Sequence, residues 1–179
     1  MQLRNLLCFF TLTFSAGLAL AGKVCEGETV LSEEFIGKDK NVKMQRLTCP
    51  QRSITGRSLE ARQTNVCATP CNRNCFSGGV GTGPDPNECH VIADAILFES
   101  QNTGALFEIG TGTNNTIAFF FRSCESFIVN QNLTPIVYCR VNWSQTIDNV
   151  AFNCQAQQNA HGGNCVATDQ SYFIQVQHS

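Results

Sequence analysis

Pro84-Asp85-Pro86-Asn87-Glu88-Cys89-His90-Val91-Ile92-Ala93-Asp94-Ala95-Ile96-Leu97-Phe98-Glu99-Ser100-Gln101-Asn102-Thr103-Gly104 reads as one helix with its own start and stop signals. Asp85 can accept from the free amides of the first turn. Pro86 suits the first helical position because it has no amide to leave unpaired, and Glu88 can reach back to the cap and complete a capping box. Cys89, Ile92, Ala93 and Ile96 recur at helical spacing and form one apolar stripe. Asn102 to Gly104 supply a left-handed exit. The rest of the chain is arranged around this helix, with strands and a second helix after it and clustered cysteines before it.

Downstream, Ala105–Ile109 is a predicted strand and Thr111–Asn115 a turn. Thr116–Cys124 is a second strand, with Ile117, Phe119 and Phe121 on one face and Ala118, Phe120 and Arg122 on the other. Ser126–Asn130 continues it or begins a third, and Pro135–Cys139 is a further short strand. Trp143–Gln155 has the pattern of a second helix, in which Trp143, Ile147, Val150, Ala151 and Cys154 share a face. The loop Asn159–Asn164 leads to Cys165, and Tyr172–Gln177 closes the chain as a strand with Tyr172, Ile174 and Val176 on one side. Helices grouped on one face of an antiparallel sheet define an α+β fold, here a small disulfide-stabilised sandwich with two helices on one antiparallel sheet.

Upstream, residues 1–21 read as a signal peptide: Arg4 begins it, Leu6 to Leu20 is apolar, and Ala19-Leu20-Ala21 is a small-x-small cleavage site. That run is short of the roughly 20 apolar residues needed for a comfortable membrane span, so no membrane insertion is expected. Cys8 falls inside the signal. The other ten cysteines (Cys25, Cys49, Cys67, Cys71, Cys75, Cys89, Cys124, Cys139, Cys154 and Cys165) are an even number, and in an oxidising compartment they imply five disulfides. The regular spacing of Cys67, Cys71 and Cys75 also suits zinc, but no histidine pair follows, so no metal or other cofactor is expected. Cys25 and Cys49 are the only cysteines in their segment and are expected to pair. The other pairings stay open.

Residues 22–62 carry eight basic and six acidic side chains and few apolar ones, and read as a polar N-terminal extension or propeptide. Leu59-Glu60-Ala61-Arg62-Gln63 resembles a degenerate processing site, which puts the expected domain boundary after Arg62 and the disulfide-rich domain at 63–179. That domain holds only Arg73, Arg122 and Arg140 against eight acids. Nucleic-acid binding needs a basic footprint and is excluded as a function class. The glycine-rich Gly78–Pro84 has no strand leading into it, and Asp85 and Glu88 would repel a phosphate there, so it is a connector.

Enzyme signatures are missing. There is no Gly-x-Ser-x-Gly elbow or His-Glu-x-x-His pair, and every mature cysteine is needed for a bridge. His90 with Asp94 at i,i+4 reads as a surface pair, and His161 stands in an Asn-Ala-His-Gly-Gly loop without a partner carboxylate. No catalytic residue is assigned. Sugar binding needs less, namely an aromatic ring and a few planar amides. Trp143 with Asn142 and Gln145, near Tyr138 and Arg140, offers such a group, against the competing reading that Trp143 packs inward. Sequons at Asn114, Asn132 and Asn142 are candidate glycosylation sites. Asn114 is favoured because it sits in a turn, whereas Pro135 disfavours Asn132 and a capping role competes at Asn142.

Asp85-Pro86-Asn87-Glu88-Cys89-His90-Val91-Ile92-Ala93-Asp94-Ala95, Ser123-Cys124 with Phe127, Tyr138-Cys139-Arg140 and Asn159-Ala160-His161-Gly162-Gly163-Asn164-Cys165 together resemble small cysteine-rich secreted proteins of mushroom-forming fungi. The pattern is similar to a mushroom glycan-binding family whose single α/β domain has a cysteine at its first helix and others along its sheet. The resemblance covers about residues 67–179. The helix-cysteine-sheet pattern is also shared with fungal killer-toxin and necrosis-inducing effector families. No sugar-binding residue of the family maps onto a position here. The resemblance implies a secreted, extracellular, non-catalytic protein whose partners are glycans or glycoproteins, with an effector or toxin acting on a protein of another cell as the second reading. Exposed sheet edges add the expectation of a homodimer.

Overall fold

A computed structural model describes residues 24–49, 63–77, 83–158 and 162–179. The expected signal peptide at 1–21, the expected processing site at Arg62, most of the glycine-rich connector and His161 lie outside the described residues.

In chain order the elements are β1 (Thr29–Ile36), β2 (Val42–Thr48), β3 (Thr64–Asn65), β4 (Cys71–Cys75), α1 (Pro86–Asn102), β5 (Leu106–Ile109), a 3-10 turn (Gly112–Asn114), β6 (Thr116–Phe121), β7 (Cys124–Asn130), β8 (Ile136–Cys139), α2 (Arg140–Gln158), β9 (Gly163–Ala167) and β10 (Tyr172–His178). Seven strands form an antiparallel sheet in the order β1-β2-β6-β7-β10-β9-β4, and β3-β8-β5 form a small second sheet in which β3 and β8 run parallel. Both helices pack side by side on the large sheet, α1 over β6 and β7, α2 over β4, β9 and β10. The fold is α+β, as expected, with the second sheet as an addition.

Alternation decides which face of the large sheet meets the helices. Met44, Phe119, Ser126 and Val176 lie in register across four strands, and Ile117, Ile128 and Ile174 in the next row. All but the buried, polar Ser126 share one hydrophobic cluster with Cys89, Ile92, Ala93 and Ile96 of α1 and Trp143, Ile147, Val150 and Ala151 of α2. Every apolar position assigned to these two helix stripes is therefore in the core.

Helix α1 begins as its sequence dictates. The Asp85 side chain accepts from the Asn87 amide at 2.9 Å, and Pro86 opens the helix. Glu88 departs from the expected capping box. It turns instead to the hairpin between β6 and β7, where its Oε2 accepts from the Ser123 amide at 2.9 Å and from the Ser123 hydroxyl. These bonds, the Ser123 hydroxyl first, hold the Glu88 carboxyl below the usual carboxylate range. The hairpin needs this support. It turns at Arg122 and Ser123, with Arg122 at φ 51°, a left-handed conformation that costs energy in any residue with a Cβ. The Cys89–Cys124 disulfide ties the same helix start to the same turn.

Residues 24–49 are not a separate extension. Strand β2 pairs with β6 from Lys43↔Phe120 to Leu47↔Thr116, and Ile36, Val42 and Met44 enter the main core. The turn after β1 docks on α1: the Gly37 amide donates to Glu99 Oε1 at 3.2 Å, and a Cβ on Gly37 would stand 2.8 Å from that of Ala95. Burial works against ionisation of Glu99, but the Gly37 amide and the Lys40 charge together keep its carboxyl below the usual range. The segment looked like an extension because all of β1 but Ile36 is exposed, so its charged residues mask a strand.

The five disulfides are Cys25–Cys49, Cys67–Cys139, Cys71–Cys165, Cys75–Cys154 and Cys89–Cys124. The first is the expected local pair. The others join distant elements.

On the sheet face away from the helices, Leu47, Ala118, Phe127 and Val129 form a smaller cluster with Val24, Phe120 and Phe173. Glu125 lies on that face, fully buried, with Oε2 accepting from Gln177 at 2.9 Å and Oε1 unpartnered. Burial first, then the Glu28 charge, raises its pKa from 4.5 to about 7, against the Gln177 bond and Lys43. Between these values the folded chain keeps a proton that the unfolded chain releases, so Glu125 makes stability decline as pH rises through that window. Glu125→Gln is expected to melt like the parent near pH 4.5 and to gain on the order of 1–3 kcal/mol above pH 7. Thermal melts across that range check this. A variant with the parent's full slope would place the titration elsewhere.

Candidate functional site

Helix α2 opens with polar side chains at helical spacing. Asn142, Gln145, Thr146 and Asn149 fall at i, i+3, i+4 and i+7, which sets them along one face. That face forms one wall of a groove of about 320 Å³; Thr69, Pro70 and Cys71 contribute from the approach to β4, and Tyr138 and Tyr172 from β8 and β10. The tyrosine rings are 4.8 Å apart and inclined at 57°. Tyr172 donates to the Thr69 carbonyl at 2.9 Å. Burial first, then the Tyr138 hydroxyl, pushes the Tyr172 phenol well above its usual range, so it stays protonated. The Cys71–Cys165 disulfide also lines the groove and ties β4 to β9 beneath it.

The groove's hydrogen-bonding capacity is partly committed. Asn142 Nδ2 donates to the Cys67 carbonyl at 3.1 Å, which leaves its side-chain oxygen as an acceptor. Arg73 donates to Asn149 Oδ1 at 2.9 Å, which leaves the Asn149 amide nitrogen as a donor. The exposed Gln145 offers both, and Thr146, donating to the Asn142 carbonyl at 2.8 Å, can still accept. None of the lining residues is a carboxylate, histidine, lysine or arginine. The groove presents neutral donors and acceptors on a rigid floor.

Three of the five residues expected to bind ligand, Tyr138, Asn142 and Gln145, come together here. Trp143 and Arg140 do not. Trp143 is fully buried, donates from Nε1 to Ser126 Oγ at 3.1 Å, and meets Phe107 and Phe119 edge-on at 5.3 and 4.8 Å. It offers no face for stacking, because position 143 is one step around the helix from the groove wall and points into the sheet. Arg140 lays its guanidinium over the Phe107 ring at 3.7 Å. Thr69, Thr146, Asn149 and Tyr172 were not singled out from the sequence. Thr146 and Asn149 carried a usable signal, their spacing from Asn142, whereas Thr69 and Tyr172 arrive from distant segments.

His90 bridges the helices. Its Nδ1 lies 3.0 Å from Asp148 Oδ1, closer than the 3.7 Å between Nε2 and Asp94, and the Asp148 hydrogen bond is the main cause of its raised pKa. Half-exposed and edge-on to Phe152, it joins α1 to α2. Among the described residues no group of three or more His, Cys, Asp or Glu side chains is arranged to hold a metal, and no helix is long and apolar enough to cross a membrane.

Of the sequons, Asn114 is exposed at the end of the 3-10 turn, Asn132 is half-buried in the loop after β7, and Asn142 spends its side-chain nitrogen on Cys67. In comparisons with known proteins, no family model and no curated protein matches the chain.

Proposed function

We propose that this is a secreted, non-catalytic carbohydrate-binding protein and that the groove between α2 and the Thr69–Cys71 segment is its site. One observation carries the reading: an uncharged wall of amides and hydroxyls, Asn142, Gln145, Thr146 and Asn149, faces a floor of paired tyrosines with the Cys71–Cys165 disulfide in the same lining. Such a surface matches the alternating donors and acceptors of sugar hydroxyls, and the rigid floor reduces the ordering cost of binding. It holds no group that titrates near neutral pH to move a proton, so binding suits it better than turnover. The five disulfides fit an oxidising, extracellular setting. The resemblance to the mushroom glycan-binding family points the same way.

The full chain, secreted and oxidised, is tested on an array of neutral glycans. One related set of glycans should bind, and Gln145→Ala together with Asn149→Ala should weaken that binding about tenfold or more at unchanged melting temperature, tenfold being 1.4 kcal/mol. Equal binding by the double variant would remove the groove from the reading. A blank array from folded protein would favour an effector that acts on a protein target.

A further inference from the structure

Strand β1 is one edge of the large sheet, β4 being the other, and no strand among the described residues pairs with its outer side. All of it but Ile36 is exposed, including Val30, Leu31 and Phe35, and its outward row of amides and carbonyls is open to another strand. A bulge between Val30 and Ser32 sets Leu31 outside the regular pairing, and Glu33 and Glu34 add charge, but the apolar side chains remain uncovered.

Beside this edge is a second groove, of about 580 Å³, lined by Leu31, Ser32, Arg46, Glu108, Gly110 and Asn114. Pockets of about 300–1,000 Å³ take small-molecule ligands, which is room for the first sugars of a glycan. Arg46 donates to the Glu108 carbonyl at 3.2 Å and bridges β2 to β5 across the floor. The groove thus joins an apolar contact at Leu31 to polar groups at Ser32, Arg46 and Glu108. Its rim is the 3-10 turn carrying Asn114, held close by Gly110, where a Cβ would come within 2.8 Å of the Asn114 carbonyl. The Asn114 side chain makes no hydrogen bond among the described residues, so the reactive nitrogen is uncommitted, unlike that of Asn142.

We propose that Asn114 carries an N-linked glycan and that its first sugars lie in this groove against β1, closing the sheet edge to a second copy of the chain. In the transfer, Asn114 Nδ2 bonds to the anomeric carbon of a lipid-diphosphate-linked oligosaccharide. The carbon–oxygen bond to the diphosphate breaks, the lipid diphosphate leaves with the electron pair, and the amide loses one proton. The proposal rests on secretion and is independent of what the α2 groove binds.

The full chain is secreted from a eukaryotic host, and occupancy of the Asn114 peptide is read by mass spectrometry. The glycan is then removed enzymatically from the folded protein, and mass in solution is followed by light scattering. Asn114 should be occupied, the glycosylated protein monomeric, and the stripped protein a concentration-dependent dimer that Leu31→Lys returns to monomer. An unmodified Asn114 in the secreted protein, a stripped protein that stays monomeric, or a dimer indifferent to Leu31→Lys would each overturn the proposal. Enzymatic removal keeps the test open where Asn114→Gln fails to be secreted.

Discussion

Trp143→Ala is expected to destabilise the protein by about 3–5 kcal/mol, the usual cost of emptying a large aromatic site in a packed core. The indole is fully buried between α2 and the sheet, and its two edge-on neighbours, Phe107 and Phe119, belong to different sheets. Truncation opens a cavity where three elements meet and leaves the Ser126 hydroxyl without its indole partner. The melting temperature should fall by roughly 10 °C, while the folded fraction should match the parent on the glycan array. Trp143→Phe, which retains most of the volume, should recover more than half of the loss. An alanine variant that melts with the parent yet loses binding would return the indole to the ligand site.

The second large effect is expected on removing Cys75–Cys154 with paired alanines. This bond spans 79 residues and ties β4, the last strand of the sheet, to the second half of α2. Strand β9 is threaded between them at Gly163, where a Cβ would stand 2.4 Å from the Asn74 carbonyl and 2.9 Å from Cys154 Sγ. Loss of the bridge is expected to cost about 2–5 kcal/mol in denaturant titrations. Removing Cys25–Cys49, which spans 24 residues, should cost less because a shorter loop loses less unfolded-state freedom. A larger cost for the short bridge would mean that packing, not closure of the chain, sets the contribution of these bonds.

The two helices were legible because their apolar stripes and the Asp85-Pro86 start are local signals, and local signals survive in one dimension. Strands β6 and β10 were legible through strict alternation. The β6–β7 hairpin was not, since Arg122-Ser123 has none of the glycine or asparagine that marks a tight turn; the conformation is held by Glu88 from another element. Strands β4 and β9 were hidden for a similar reason. Cys71-Asn72-Arg73-Asn74-Cys75 alternates only in which side chains form bridges, and β9 completes its pairing through β4 and β10. Strand β1 reads as a charged extension because it is an edge. The candidate site was half legible: Asn142 and Gln145 stand on the groove wall, while Trp143 follows the competing reading, its periodicity with Ile147 and Val150 placing it in the core.

The disulfide pattern bears on how the chain is made. Cys67, Cys71 and Cys75 emerge during synthesis as a cluster, and their partners Cys139, Cys165 and Cys154 follow 72, 94 and 79 residues later. At about 5–20 residues per second, three thiols within one short segment wait for several seconds with each other, the earlier Cys25 and Cys49, and whichever cysteine comes next within reach. Early bonds among them are dead ends that must be broken before β4 can join the sheet, and such reshuffling takes seconds to hours without a catalyst. The finished molecule is held by long-range bonds, so its yield depends on the thiol–disulfide exchange capacity of the cell that makes it.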